Sequence, residues 1–140
     1  MKELLEHSPY ALHGQLPGSL ELAYLGDALY DLYVRARLIA GGGRVGALHR
    51  KATSIVCARA QAEAFGRVEP MLTDEEQAVS RRARNAHQTP SKNADAAEYH
   101  RATALEALLG YLYVTGQLVR LNQIIERALD GAAKENPHGV

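Results

Sequence analysis

The apolar stretch Leu20–Ala40, LELAYLGDALYDLYVRARLIA, decides the fold of this chain. Its leucines and other apolar residues recur at spacings of three and four, which predicts an α-helix with a buried face. Ser19 is the predicted N-cap, and the glycine run 41–43 ends the helix. In the middle, Gly26 precedes Asp27, and a glycine inside a helix costs about 1 kcal/mol relative to alanine. We therefore expect another part of the chain to approach the backbone closely at Gly26.

The role of Asp27 is open when its own helix is considered alone. Asp27, Asp31 and Arg35 share one helix face, so they can form an exposed stripe in which carboxylates pair with the guanidinium. Alternatively, Asp27 is a functional carboxylate beside a close helix contact. The local pattern favours the exposed stripe, because such pairs are common on solvated helix faces.

Glu106 is a second acid in an apolar helix. It lies in TALEALLGY, residues 103–111, and Gly110 follows it by four residues. Such a carboxylate either lies at the rim of the apolar face or is held by a partner. If the two helices meet, Asp27 and Glu106 form a shared pair. Oxygen ligands without cysteine or clustered histidine would then favour a hard cation, Mg²⁺ or Mn²⁺.

The remaining sequence predicts a single all-α domain. Helical periodicity dominates, and the predicted helices cover about 20–40, 45–65, 74–84, 95–114 and 117–132, a bundle of five main helices. Thr73 and Glu76 form a predicted capping box at the third helix. We divide the chain into an N-terminal segment, 1–18, a helical domain, 19–132, and a frayed tail, 133–140.

Composition excludes several classes of protein. The 140 residues are 46% hydrophobic and 23% charged, which is the balance of a globular domain rather than a disordered chain. No apolar run is long enough to cross a bilayer, and Met1–Pro9 does not have the pattern of a signal peptide. The single cysteine, Cys57, excludes an internal disulfide and is expected to be a buried small hydrophobe. We expect a cytoplasmic protein with no membrane partner.

Basic residues are concentrated in two blocks, although the net charge is zero. Residues 34–67 hold seven basic residues and one acid, and residues 81–101 hold five basic residues and two acids. Cations at a helix C-terminus favour the helix dipole without any ligand. Arginine and amide side chains on a loop also suit phosphates and 2′-hydroxyls of RNA. The candidate RNA-binding residues of the second block are Arg81, Arg82, Arg84, Asn85, Lys92 and Asn93.

Two of these segments together resemble the ribonuclease III catalytic domain. LAYLGDALY, residues 22–30, is similar to the signature helix of that domain, and residues 103–111 resemble its second acidic helix. The arginine-rich run 81–85 and Lys92-Asn93 make the match closer to the Mini-ribonuclease III branch, which lacks a double-stranded-RNA-binding domain. The similarity extends from about Ser19 to Ala128.

The resemblance implies a function. It implies an Mg²⁺-dependent endoribonuclease, with Mn²⁺ as a substitute, that cuts double-stranded RNA and leaves 5′-phosphates. Asp27 and Glu106 would be its catalytic and metal-binding residues. It further implies maturation of large-subunit (23S) precursor ribosomal RNA, a homodimer, and ribosomal proteins as candidate helpers. The alternative function is a non-catalytic RNA-binding module on the same fold, and a helical interaction protein without an RNA role is a third class.

The chain departs from the wider family at two positions. That family has four carboxylates at its metal site, whereas Ala23 and Thr103 occupy two of the corresponding positions here. The resemblance therefore implies fewer protein ligands. Water, the Thr103 hydroxyl or Asp31 are the candidates that would complete the metal shell.

Overall fold

The computed structural model describes residues 16–86 and 95–135. Within these ranges the chain forms six α-helices and one short 3-10 turn and contains no strand. The helices are α1 (Ser19–Ala40), α2 (Val45–Val56), α3 (Ala58–Val68), α4 (Asp74–Arg84), α5 (Ala96–Val114) and α6 (Leu118–Glu135), and the 3-10 turn is Glu69–Met71. The predicted all-α class is therefore confirmed. Among the described helices, none is long and apolar enough to span a membrane.

Helix α5 is the centre of the fold. It packs against α1, α3, α4 and α6, and its leucines Leu105, Leu108, Leu109 and Leu112 are fully buried. A helix that is apolar on nearly all sides is stable only when other helices surround it. The surrounding helices therefore hold α5, and with it Glu106, in a fixed position.

Two glycines allow α1 and α5 to cross in direct backbone contact. A Cβ atom added at Gly26 would overlap the backbone carbonyl of Glu106, and one added at Gly110 would overlap the carbonyl of Leu22. The close approach predicted at Gly26 is thus confirmed, and the helix that makes it is the one that carries the second acid. The turn of α5 that bears Glu106 packs against Gly26, and the turn of α1 at Leu22 packs against Gly110.

The prediction of one continuous helix over 45–65 is wrong, because the structure has two helices there. The helix ends at Val56, Cys57 takes an extended conformation (φ −65°, ψ 159°), and α3 begins at Ala58. No glycine or proline marks this break. The hydroxyls of Thr53 and Ser54 bond to backbone carbonyls of His49 and Lys51, and such bonds weaken a helix end. Cys57 is exposed at the break, which corrects its predicted burial.

Of the two predicted helix caps, the structure confirms the one at Thr73 and moves the one at Ser19, and it shows a further cap at Asp95. The Thr73 hydroxyl accepts from the Glu76 N–H (3.2 Å), and Glu76 accepts from the Thr73 N–H (2.9 Å), so the capping box is confirmed. Asp95 caps α5 by accepting from the Glu98 N–H (3.1 Å). At α1 the N-cap is Gly18 rather than Ser19, because the Glu21 carboxylate accepts the Gly18 N–H (3.2 Å).

A buried ion pair ties α4 to α6. Arg120 donates to both carboxylate oxygens of Glu76 (2.9 and 2.8 Å) and to the Met71 carbonyl (2.7 Å). Hydrogen bonding from Arg120 lowers the pKa of Glu76, although its burial acts in the opposite direction. Glu76 therefore joins α4 to α6, and Arg120 balances its charge.

Candidate active site

Asp27 and Glu106 face each other across the crossing of α1 and α5. Asp27 is exposed, Glu106 is partly buried, and Asp27 lies close enough to raise the pKa of the Glu106 carboxyl group through hydrogen bonding and charge repulsion. The pair exists because Gly26, the residue before Asp27, lies directly against the backbone of Glu106. The structure thus brings together the two acids that the sequence places on separate helices.

The pair holds a proton at neutral pH. Burial raises the pKa of Glu106 to about 9, and hydrogen bonding to Asp27 and repulsion from its charge add to the rise. A hydrogen bond from Gln61 acts in the opposite direction. Two carboxylates this close cannot both be ionised without a compensating positive charge. A divalent cation supplies that charge, so the donor set fits a hard metal ion.

The exposed-stripe interpretation holds for Asp31 and not for Asp27. Arg35 Nε lies 3.0 Å from Asp31 Oδ2, so the guanidinium is engaged one turn beyond Asp27. Asp27 instead interacts with Glu106 on another helix. Asp31 therefore forms an ion pair with Arg35 on the surface beside the site.

The two positions without a carboxylate are buried. Ala23 packs with Leu22, Ala83 and Ala107, and Thr103 donates its hydroxyl to the Tyr99 carbonyl (2.9 Å). The described residues contain no group of three or more His, Cys, Asp or Glu side chains able to hold a metal. A cation here would therefore have few protein ligands, an arrangement that suits Mg²⁺, which keeps several of its waters.

Gln61 is a polar neighbour of the site that sequence reasoning missed. Gln61 is only 3% exposed, belongs to the buried face of α3, and acts to lower the pKa of Glu106. A signal was available, since a glutamine interrupts the otherwise small or apolar positions Ala58, Ala62 and Phe65 on one helix face. The prediction of one continuous helix over 45–65 did not reveal this face, because the face belongs to a separate helix that begins at Ala58.

The candidate RNA-binding residues of α4 do not share one environment. Arg81 and Arg82 are exposed in the last turn, and Asn85 is the C-cap residue. Arg84 lies 3.6 Å from the Glu69 carboxylate and over the Phe65 ring, with 5.9 Å from its guanidinium carbon to the ring centroid. Arg101 of α5 lies over the same ring at 5.4 Å. Lys92 and Asn93 lie outside the described residues.

Comparison with known proteins yields one consistent family. The ribonuclease III domain matches residues 20–117. A "Mini-ribonuclease 3" of Symbiobacterium thermophilum is 52% identical over 79% of this chain and 87% of that protein. A "Mini-ribonuclease 3" of Brevibacillus brevis is 43% identical over 91% and 92% of the two chains. A crystal structure of a Fusobacterium nucleatum protein superposes with a TM-score of 0.75 at 30% identity, covering 82% of this chain and 93% of that one.

Proposed function

This chain belongs to the ribonuclease III domain family, in its Mini-ribonuclease 3 branch, and is an endoribonuclease; on that basis we propose that it cleaves double-stranded RNA with Mg²⁺. The observation that carries the proposal is the Asp27–Glu106 pair between two helices in backbone contact. A rigid pair of acids is the arrangement that a metal-dependent phosphodiesterase requires.

The cation and the protein chain would have different roles in the reaction. When bound, Mg²⁺ lowers the pKa of a coordinated water and neutralises negative charge on the phosphate that is cleaved. Asp27 and Glu106 supply the two negative charges that hold the cation, and the crossing of α1 and α5 fixes their separation. Since the absence of a side chain at Gly26 lets α1 and α5 pack in direct backbone contact, the pair is organised before substrate arrives.

RNA is bound by the catalytic fold itself. Arg81 and Arg82 present two exposed cations at the end of α4, and Asn85 follows them as the C-cap residue. Lys92 and Asn93, which lie outside the described residues, are further candidates from the sequence. The basic block 34–67 contributes further phosphate contacts. The A-form minor groove exposes phosphates and 2′-hydroxyls, so such a surface reads duplex shape more than base sequence.

The natural substrate that we propose is precursor 23S ribosomal RNA in the cytoplasm, with ribosomal proteins as candidate helpers and 5′-phosphate ends as products. This assignment is supported by the Mini-ribonuclease 3 branch to which the chain belongs. Mapping the 5′ ends produced from a precursor transcript tests it directly.

We propose a homodimer that pairs through α1. Large apolar side chains are exposed along this helix, which is unusual for a surface in contact with water. The exposed side chains are Leu20 (37%), Tyr24 (85%), Leu32 (55%) and Ile39 (67%). They lie within about one third of the helix circumference, so one partner can cover them together. A two-fold dimer would place one active site on each RNA strand.

Replacement of Asp27 tests the catalytic proposal. Asp27→Asn keeps the shape of the side chain and removes its charge, so duplex cleavage should fall by about 100-fold or more while RNA binding and folding persist. Asp130→Asn is the matched control, because Asp130 is an exposed carboxylate of α6 paired with Arg127. Cleavage of a labelled duplex is measured with and without Mg²⁺.

The same assay separates the other function classes. Wild-type protein that binds duplex RNA without cutting it would be the RNA-binding module. Protein that neither binds nor cuts would be a helical interaction protein. If Asp27→Asn cuts at the wild-type rate, Asp27 is not the catalytic carboxylate.

A further inference from the structure

Two arginines from different helices lie over one aromatic ring, that of Phe65 on α3. The guanidinium carbon of Arg84, in the last turn of α4, is 5.9 Å from the ring centroid. The guanidinium carbon of Arg101, on α5, is 5.4 Å from the same centroid. An aromatic ring attracts a guanidinium group without neutralising its charge. Phe65 therefore holds two positive charges close together where α3, α4 and α5 meet.

A glycine makes room for one of these cations. A Cβ atom added at Gly66 of α3 would lie 3.0 Å from a terminal nitrogen of Arg101. That separation is tighter than an ordinary van der Waals contact, so the guanidinium would have to shift if residue 66 carried a side chain. The Arg101 guanidinium thus lies close against the backbone of α3, in space that Gly66 leaves open.

The charge of the two arginines is only partly balanced by the protein. Arg101 is partly buried, yet it makes no ion pair with a carboxylate in the part of the chain that the structure describes. The Glu69 carboxylate lies 3.6 Å from Arg84, and both of these side chains are more than 40% exposed. Two cations beside one carboxylate leave a net positive charge, and the two guanidinium groups repel each other. A bound anion would therefore stabilise this arrangement.

The two arginines are well placed to contact an RNA strand at the candidate active site. Arg101 precedes Glu106 by five residues on α5, so the two positions are separated by about 7.5 Å along the helix axis. On α4, Arg84 follows the exposed cations Arg81 and Arg82. A strand that presents one phosphate to Glu106 thus has other phosphates within reach of both arginines. Guanidinium groups bind phosphate oxygens through paired, charge-assisted hydrogen bonds.

We propose that Arg84 and Arg101 form a binding site for a backbone phosphate of the RNA, and that Glu69 competes with this phosphate for Arg84. The inference rests on the proposed function, since it takes duplex RNA as the ligand. It extends the RNA-binding surface from the end of α4 to α3 and α5. In the RNA-free protein Glu69 balances part of the charge, and in the complex the phosphate replaces it.

Arg101→Met tests the contribution of the cation on α5. Methionine keeps an unbranched apolar chain against Phe65 and removes the charge. Binding of a fluorescently labelled RNA duplex is measured by anisotropy in EDTA at several salt concentrations, and the melting temperature is measured in parallel. We expect the slope of log affinity against log salt concentration to fall by up to about one unit. Arg101→Lys, which keeps the charge, should retain most of the slope. Arg127→Met is the matched control, because Arg127 is an exposed arginine of α6, and its slope should equal that of the wild type.

Glu69→Gln tests the competition and predicts a gain of affinity. Without the carboxylate, Arg84 is available to the phosphate, so duplex binding at low salt should become tighter by up to about fivefold. Asp130→Asn is the matched control, because it also removes one negative charge from an exposed ion pair with an arginine. Both variants change the net charge equally, so only a local effect distinguishes them. Equal affinities of the two variants would overturn the proposed site.

Addition of Mg²⁺ to the same samples separates this inference from the proposed function. If wild-type protein binds the duplex but does not cut it, the proposed function fails, and the variants still decide the phosphate site. If wild-type protein cuts and Arg101→Met keeps the wild-type slope, the phosphate site fails and the proposed function stands. A lower melting temperature with that unchanged slope would show that Arg101 only supports the fold. Wild-type protein that binds no duplex overturns both. If Arg101→Met does not fold, the comparison of Glu69→Gln with its control decides.

Discussion

Glu106 is the residue whose chemistry changes most with its surroundings. Its carboxyl group is partly buried on α5, and it shares a hydrogen bond with Asp27. Burial raises the pKa of Glu106 to about 9, so the carboxyl group is protonated at neutral pH when no cation is present. Binding of a divalent cation by both carboxylates therefore requires the release of this proton.

Cation affinity should consequently increase with pH. Between about pH 7 and the pKa of about 9, the dissociation constant for Mg²⁺ should fall up to about tenfold per pH unit, and it should level off above this range. Calorimetric titration of the RNA-free protein at several pH values measures this, and two buffers of different ionisation enthalpy count the released proton. An affinity that is constant from pH 7 to pH 9 would contradict the protonated pair.

The thermal stability of the cation-free protein provides the control for this prediction. Because the folded-state pKa of Glu106 lies above its ordinary value of 4.5, the folded protein holds a proton that the unfolded chain has lost between these two values. Glu106 therefore lowers stability progressively as pH rises through this window. In Glu106→Gln the melting temperature should decline less over the same range.

Among the helices, the crossing of α1 and α5 determines whether a site exists. The two helices approach closely enough that neither Gly26 nor Gly110 can carry a side chain. The crossing sets both the stability of the core and the separation of the two acids. A change at the crossing should therefore affect folding and activity together.

Gly26→Ala should destabilise the protein by about 3 kcal/mol or more. The added methyl group would overlap backbone atoms of Glu106, which cannot move aside as a flexible side chain can. Urea denaturation measures the free energy of unfolding. The control is Gly46→Ala, because Gly46 is an exposed position of α2 where the new Cβ would come no closer than 3.8 Å to Arg50. There alanine should be neutral or stabilising by up to about 1 kcal/mol. Equal effects of the two substitutions would disprove the close crossing.

For the molecule as a whole, the proposed function depends on two surfaces that flank the site. The exposed apolar residues of α1 form one surface, and the cations at the end of α4 form the other. The apolar surface is suited to a second copy of the chain, and the basic surface is suited to RNA. Each has its own prediction.

Charge on the α1 surface should prevent dimer formation. In Tyr24→Glu/Leu32→Glu, two carboxylates would have to be buried without partners, so the protein should become monomeric in analytical ultracentrifugation at micromolar concentration. Val119→Glu is the control, since Val119 is similarly exposed (76%) but belongs to α6. A wild-type protein that is itself monomeric would refute the homodimer.

Removal of the α4 cations should reduce the salt dependence of RNA binding. Each phosphate contact contributes up to about one unit of slope when log affinity is plotted against log salt concentration. Arg81→Ala/Arg82→Ala should therefore lower that slope by up to about two units and weaken binding mainly at low salt. Arg84 is left intact, because it also contacts Glu69 and Phe65 and its loss would affect stability. Arg127→Ala on α6 is the control, and an unchanged slope in the double variant would exclude an RNA-binding role for these arginines.

The sequence by itself determined most helices, the all-α class and the two acids of the site. Period-3.6 apolar patterns and the Thr73–Glu76 capping box act over one or two turns, so the sequence predicts them without knowledge of the fold. Gly26 also predicted the close helix contact, because a glycine destabilises a helix and nothing in the neighbouring sequence explains why one stands within this apolar helix.

Only the tertiary structure decided which partner each polar residue takes. From local spacing Asp27 belongs with Asp31 and Arg35, yet it bonds to Glu106, which is distant in sequence and is brought close by the helix crossing. The same is true of Arg84, which lies against Glu69 and Phe65. In both cases the deciding contact joins two elements, so a pattern that extends over one or two turns of a single helix does not contain it.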